Sequence, residues 1–227
     1  MPESRLPQRV MISAVISPRA SLFMHPYPCR TLFVTLALAA APAAHAVDGT
    51  ITINGEITSQ TCKINGNLPP HNFIVALPKI SASALKALNA TAGATVFVLN
   101  ISDCPSELSG QIKAYFEPGP TTDYDKALLY AYKESPATVA ATSIPDRSSA
   151  EKAQNVSFQI ANIDGSPIKL GAPLAEQGAS GQTLVNGSDR STKAATLRYL
   201  VRYIKSGTGD ISANKLVSYV QYSLVYP

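Results

Sequence analysis

Three sets of residues carry side chains capable of chemistry: the cysteines Cys62 and Cys104, the histidine His71, and the acidic pair Asp123 and Asp125. In an exported chain an even cysteine pair reads as one disulfide. Closing a loop of about 43 residues would stabilise the fold by roughly 4 kcal/mol in the chain-entropy model. Two buried free thiols are the alternative. His71 is the sole histidine beyond residue 46, so a His-rich metal centre is excluded and any Ser-His-Asp relay would have to run through it. It lies in LPPHN, residues 68–72, a proline-punctuated loop with no nucleophile motif beside it, and reads as a surface histidine. Asp123 and Asp125 in TTDYD hint at calcium, but the loop lacks the glycine and glutamate of an EF-hand. A solvated turn is the better reading. The chain has no G-x-S-x-G, no Walker loop, no C-x-x-C and no dinucleotide fingerprint. The expectation is a protein that is not an enzyme, with no catalytic residues, no metal and no cofactor.

The leader decides where the cysteines meet. Arg30 precedes the apolar run at residues 31–41, followed by Pro42 and Ala44-His45-Ala46. A positive flank, a short apolar core and an A-x-A ending describe a signal peptide over residues 1–46, with Met24 as an alternative true start. The run falls short of the roughly 20 apolar residues a membrane span needs, which sets a retained anchor aside. Residues 1–46 hold four arginines and one glutamate, which leaves 15 basic and 14 acidic residues in the remaining 181. The basic balance belongs largely to the leader, and the rest shows no concentrated basic surface for nucleic acid.

The elements beyond the leader are short strands between turn residues. Residues 94–101, 111–116, 156–160, 196–204 and 216–226 are rich in β-branched and aromatic residues or alternate with period two. Glu117-Pro118-Gly119-Pro120 stops the second, and residues 162–167 predict a hairpin turn into a return strand at 168–170. In the last strand Val220, Tyr222, Leu224 and Tyr226 share one face. Residues 81–88 predict a short helical turn, and the polar tracts 135–154 and 172–192 predict loops. Many short strands with such turns indicate a β-sandwich. The stretch VDGTITING, residues 47–55, also alternates, with Val47, Gly49, Ile51 and Ile53 on one face and Asp48, Thr50 and Thr52 on the other. Taken alone, it is the domain's own first strand with a glycine on its apolar side.

Taken together, several segments resemble the major subunits (pilins) of chaperone–usher, type-1-like fimbriae. They are GTITINGEI at residues 49–57 ahead of Cys62, the strand from Phe97 to Cys104, residues 156–171 with a turn inside, residues 197–203, and the alternating end with Tyr226 next to last. The resemblance implies an all-β, incomplete immunoglobulin-like sandwich that lacks its last strand and is completed by a donor strand from a neighbouring subunit. It implies residues 47–55 as the N-terminal donor-strand extension and residues 56–227 as the pilin domain. Val47, Gly49, Ile51 and Ile53 would insert into the neighbour's groove. Ile51 and Ile53 together would contribute roughly 3–6 kcal/mol at usual side-chain values. Cys62 and Cys104 would be the family's disulfide. Val220, Tyr222, Leu224 and Tyr226 would border the groove, where a periplasmic chaperone and then the donor strand both pair. The partners implied are neighbouring subunits in a homopolymer, that chaperone, and an outer-membrane usher, with the fimbrium on the bacterial cell surface reached through the periplasm. A minor or adaptor subunit, or a self-contained secreted β-sandwich that binds a ligand, are the alternatives. Two positions depart from the family. Asn214 stands where a glycine is usual, and Asn tolerates a left-handed turn. Pro227 has no amide hydrogen, so terminal pairing is expected to stop at Tyr226.

Overall fold

The computed structural model describes residues 54–55, 61–188 and 190–227. The donor-strand positions Val47, Gly49, Ile51 and Ile53 and the leader lie outside them.

Two long strands form the spine, β2 (Thr91–Cys104) and β9 (Lys193–Lys205), paired antiparallel from Thr91↔Ile204 to Cys104↔Lys193. Their register shifts at 92–95 and 101–104, where Gly93 (φ 67°) and Asp103 (φ 53°) turn left-handed. Such bulges bend a strand and increase its twist, which lets a long ladder wrap a core. On the other side of β9 lies β6 (Lys152–Asn162), then β5 (Leu128–Lys133) and β10 (Leu216–Val217). The short strands β1 (Lys63–Ile64), β4 (Thr122–Asp123) and β8 (Val185–Asn186) complete an eight-stranded sheet by pairing β2, β5 and β9. The second sheet has three strands, with β3 (Gln111–Glu117) between β7 (Gln182–Thr183) and β11 (Gln221–Val225). Leu99, Ile101, Ile112, Ala114, Phe116, Ile160, Leu197 and Tyr199 pack in the core cluster between the sheets. The alternation in the sequence is what delivers them there, since successive side chains leave opposite faces of a strand.

The architecture is all-β, as the pattern predicts, and four of the five foreseen strands form, each longer than its sequence signal. The helical hint survives as one 3-10 turn, Ala82–Ala84, with the Ser81 hydroxyl accepting from the Ser83 N–H. Several expectations need correction. The final strand is broken in two: β10 pairs with β5 in the large sheet, then the chain crosses to pair β11 with β3 in the small one. A single straight strand at 216–226 could not serve both layers. The turn at 162–167 forms, closed by Gly165 N–H to Asn162 C=O, but its return is only the bridge Ala161↔Pro167. Strand β5, LLYAYK, has no clean alternation because both of its faces are covered, and it was not foreseen. Asp123 is buried within β4, where its carboxylate accepts from Lys126 N–H, and is not a solvated turn residue. Asn214 is not among the residues with positive φ. The β3–β11 ladder ends at Val225↔Lys113, one residue short of Tyr226. Pro227 instead packs on Gly110, where an added Cβ would lie 2.7 Å from the proline ring.

Candidate functional site: an open strand edge

Among the described residues, strand β11 has a neighbour on one side only. Which of its backbone groups face the free side follows from the hydrogen bonds of β3. Opposite residues in an antiparallel pair alternate between exchanging hydrogen bonds with each other and turning their polar groups away. Phe116 spends its N–H and C=O on the side-chain amide of Gln177, at 2.9 and 2.8 Å, and Ala114 gives its N–H to the Tyr199 hydroxyl. Both residues therefore turn their N–H groups away from β11. Their partners in register are Tyr222 and Leu224. The N–H and C=O groups of Tyr222 and Leu224 consequently point along the sheet to the open edge.

The side chains of the same strand point inward. Val220, Tyr222, Leu224 and Tyr226 are partly buried and pack on the core cluster, while Gln221 and Ser223 are exposed. Across the opening runs the segment 72–80. Its side chains alternate in exposure, with Phe73, Val75 and Leu77 less exposed than Ile74, Ala76 and Pro78. That is the habit of a strand, yet no backbone hydrogen bond joins residues 72–80 to another described residue. Two strand-like lips therefore face one another without a ladder between them.

Aromatic rings make the floor. Phe73 sits 6.0 Å from Tyr222 and 5.9 Å from Phe97, and Phe97 lies 5.8 Å from Tyr199, which meets Phe116 edge-on at 5.4 Å. Burial raises the Tyr199 and Tyr222 phenols above the ordinary tyrosine value, because charging them would strand an anion in an apolar layer. Cys62 and Cys104 are joined, with an S–S distance of 2.06 Å, both fully buried, and they tie the start of the domain to the end of β2. His71 belongs to this region rather than to free surface. Its ring is flanked by the side-chain amides of Asn65 and Asn67 and stacks on Phe73. None of these contacts is a nucleophile.

The sequence pattern singles out the β11 face and the disulfide, and the structure brings these onto the core together. It does not single out the opposite lip. FIVAL at 73–77 is apolar at every position, so period two is invisible until burial is known. Nor does it find Gln177, whose amide stands in for a neighbouring strand; a glutamine in a Gly/Ala-rich tract carries no such signal.

Residues 77–227 match the family model described as type-1 fimbrial protein, A. The chain belongs to the type-1 fimbrial protein family. It is 46% identical over 198 residues to the serotype 2 fimbrial subunit of Bordetella pertussis, covering 86% of this chain and 95% of that relative. The serotype 3 fimbrial subunit of the same organism is 42% identical over 204 residues, covering 88% and 98%. The major fimbrial subunit SMF-1 of Stenotrophomonas maltophilia is 35% identical over 193 residues, covering 83% and 99%. Among solved structures, a chaperone–usher pilus subunit overlays 82% of this chain and all of its own, at 14% identity and a TM-score of 0.49, too loose a likeness to carry more. The protein is thus a structural subunit of a surface fimbrium, and the open edge at β11 is a feature of a fimbrial subunit.

Proposed function

We propose that this fimbrial subunit builds the shaft of its fimbrium, as the major subunit, by donor-strand exchange. Residues 47–55 of one copy lie along the open edge of the next, with Val47, Gly49, Ile51 and Ile53 facing its floor. The observation that carries this reading is the pair of lips. Among the described residues the outward N–H and C=O groups of Tyr222 and Leu224 have no partner strand, and an exposed apolar edge of this kind is an aggregation hazard unless something covers it. Strand addition satisfies both needs at once, the backbone by a ladder and the half-buried faces by alternate side chains.

Until the next subunit arrives the same edge needs a temporary strand. A periplasmic chaperone would supply it, and an outer-membrane usher would be where one strand replaces the other. The division of the chain at residues 46 and 55 follows from the same reading, with export preceding folding and the disulfide forming in the periplasm. Adhesion is then a property of the assembled fibre. Gly49 on the donor's inner face fits a place where the floor leaves no room for a side chain.

Electron microscopy of cells producing the chain with and without Gly49→Arg tests this. Fibres are expected with the wild type and lost in the variant, while the variant still accumulates as a soluble disulfide-bonded subunit. Fibres of normal length and number from Gly49→Arg would overturn the reading.

A further inference from the structure

The edges of the two sheets are unequal. Among the described residues the sheets end at β1, β10, β7 and β11, and the first three are two residues long. Edges that short offer an incoming strand almost no ladder. Strand β11 has five residues. A second long edge would lie on β3, because β7 pairs only with Gln111 and Ile112 and stops before residues 113–117.

Side chains occupy that stretch instead of a strand. Gln177 is 1% exposed, and its amide accepts from Phe116 N–H at 2.9 Å and donates to Phe116 C=O at 2.8 Å. A residue of a neighbouring antiparallel strand would make the same pair of bonds. Two residues away, the buried Tyr199 hydroxyl accepts from Ala114 N–H at 3.1 Å and donates to Ser180 C=O at 2.8 Å. Gln177 is itself held at both ends of its peptide unit. Its N–H donates to Pro173 C=O at 2.9 Å, and its C=O accepts from Lys169 N–H at 2.8 Å. Farther along, a Cβ added to Gly181 would lie 3.0 Å from the Ile112 carbonyl oxygen, so this backbone runs close against β3.

We propose that Gln177 is a specificity-determining residue for polymerisation: its buried amide, with the Tyr199 hydroxyl, seals the outer edge of β3 and leaves β11 as the long edge where a strand adds. This rests on the donor-strand reading above. A further strand laid on β3 would only move the open edge outward, whereas a side-chain amide ends the ladder. The amide suits the task because it carries a donor and an acceptor without charge. A subunit with two long open edges could pair side by side with another copy through β3, and its fibre would branch or clump.

The test uses the mature chain, residues 47–227, carrying Gly49→Arg to disable its own donor strand. Gln177→Met keeps the side chain's length and removes the amide. Leu197→Ala is the control, a core substitution that lowers stability and leaves the bonds at β3 in place. Each chain is checked for its disulfide and its sheet signal by circular dichroism. Self-association is then followed by sedimentation, and binding of a fluorescent VDGTITING peptide by titration. Gln177→Met is expected to self-associate at about 10-fold lower concentration than the parent, the equilibrium worth of one or two net hydrogen bonds. Leu197→Ala is expected to match the parent. A parent chain that fails to bind the peptide defeats the donor-strand reading, while sedimentation still decides whether β3 is sealed. The sealing role is overturned if Gln177→Met self-associates no more readily than the parent or than Leu197→Ala. Should Gln177→Met not fold, Tyr199→Phe, which frees Ala114 N–H on the same edge, is judged against the same control. Failure of both to fold also overturns the proposal, because the two groups would then serve folding alone.

Discussion

Strands β9 and β11 are built from the same kind of sequence. Each alternates, and each sends tyrosines and aliphatic residues to one face. Yet among the described residues β9 has β2 on one side and β6 on the other, while β11 has β3 and then an opening. Leu197 and Tyr199 on β9 are fully buried; Tyr222 and Leu224 on β11 are only partly so. The difference lies in the neighbours. A central strand satisfies its backbone within its own chain, and an edge strand leaves that task to something else. On the donor-strand reading proposed above, this edge is where one subunit would join the next.

This contrast can be broken or sharpened by mutation. The largest expected effect is on the tie that anchors one lip to the large sheet. Cys62→Ala with Cys104→Ala should lower stability by roughly 4 kcal/mol through the opened loop, read as a fall in the urea midpoint. Leu197→Ala, in the centre of the large sheet, should cost about 3 kcal/mol as a buried cavity, in the lone subunit and in the fibre alike. Tyr199→Phe removes a hydroxyl that accepts from Ala114 N–H and donates to Ser180 C=O. It should cost about 2 kcal/mol, since both backbone groups lose a partner.

The smallest effect on the lone subunit is expected at Leu224→Ala. There the side chain is half-exposed, and about 1 kcal/mol is at stake. Polymerisation should suffer far more if, as proposed, a donor strand completes that side chain's burial. Equal losses for Leu197→Ala and Leu224→Ala in the isolated subunit would erase the distinction between the two sheets.

Tyr199 also gives a pH test. Burial raises its phenol above the unfolded value of about 10. Between those two values the folded chain holds a proton that the unfolded chain has lost. Its contribution is therefore intact below about pH 10 and lost as pH rises through the folded value. Denaturation midpoints measured from neutral to alkaline pH should fall above pH 10, and less steeply in Tyr199→Phe.

How much of this was legible beforehand depended on whether a residue's role is local. The strands at β2, β3 and β9 announce themselves because one face is more deeply buried than the other, and β6 because Val156, Phe158 and Ile160 alternate with polar residues although both of its faces are covered. The 3-10 turn at Ala82–Ala84 follows from Ser81 and the good helix formers after it. Strand β5 hides because it is covered on both sides, and the lip at 73–77 hides because it is apolar throughout. The break between β10 and β11 was invisible for another reason: Ser218 to Val220 carry no strong breaker, and the crossing is dictated by two different partner strands, β5 and β3. Asp123 looked like a solvated carboxylate only because burial cannot be read from a turn-like tract.

By itself the sequence determined that this is a chain of short β-strands with Cys62 and Cys104 set to pair and an alternating end whose inner face is Val220, Tyr222, Leu224 and Tyr226. Those are consequences of composition and period, which act within a few residues. Only the tertiary structure decided that β11 is an edge among the described residues, that the N–H and C=O of Tyr222 and Leu224 look outward, and that the Tyr222 and Tyr226 hydroxyls reach His71 and Cys62. Hydrogen-bond direction and strand neighbours depend on residues as far apart as His71 and Tyr222, and no local pattern encodes a pairing across that distance.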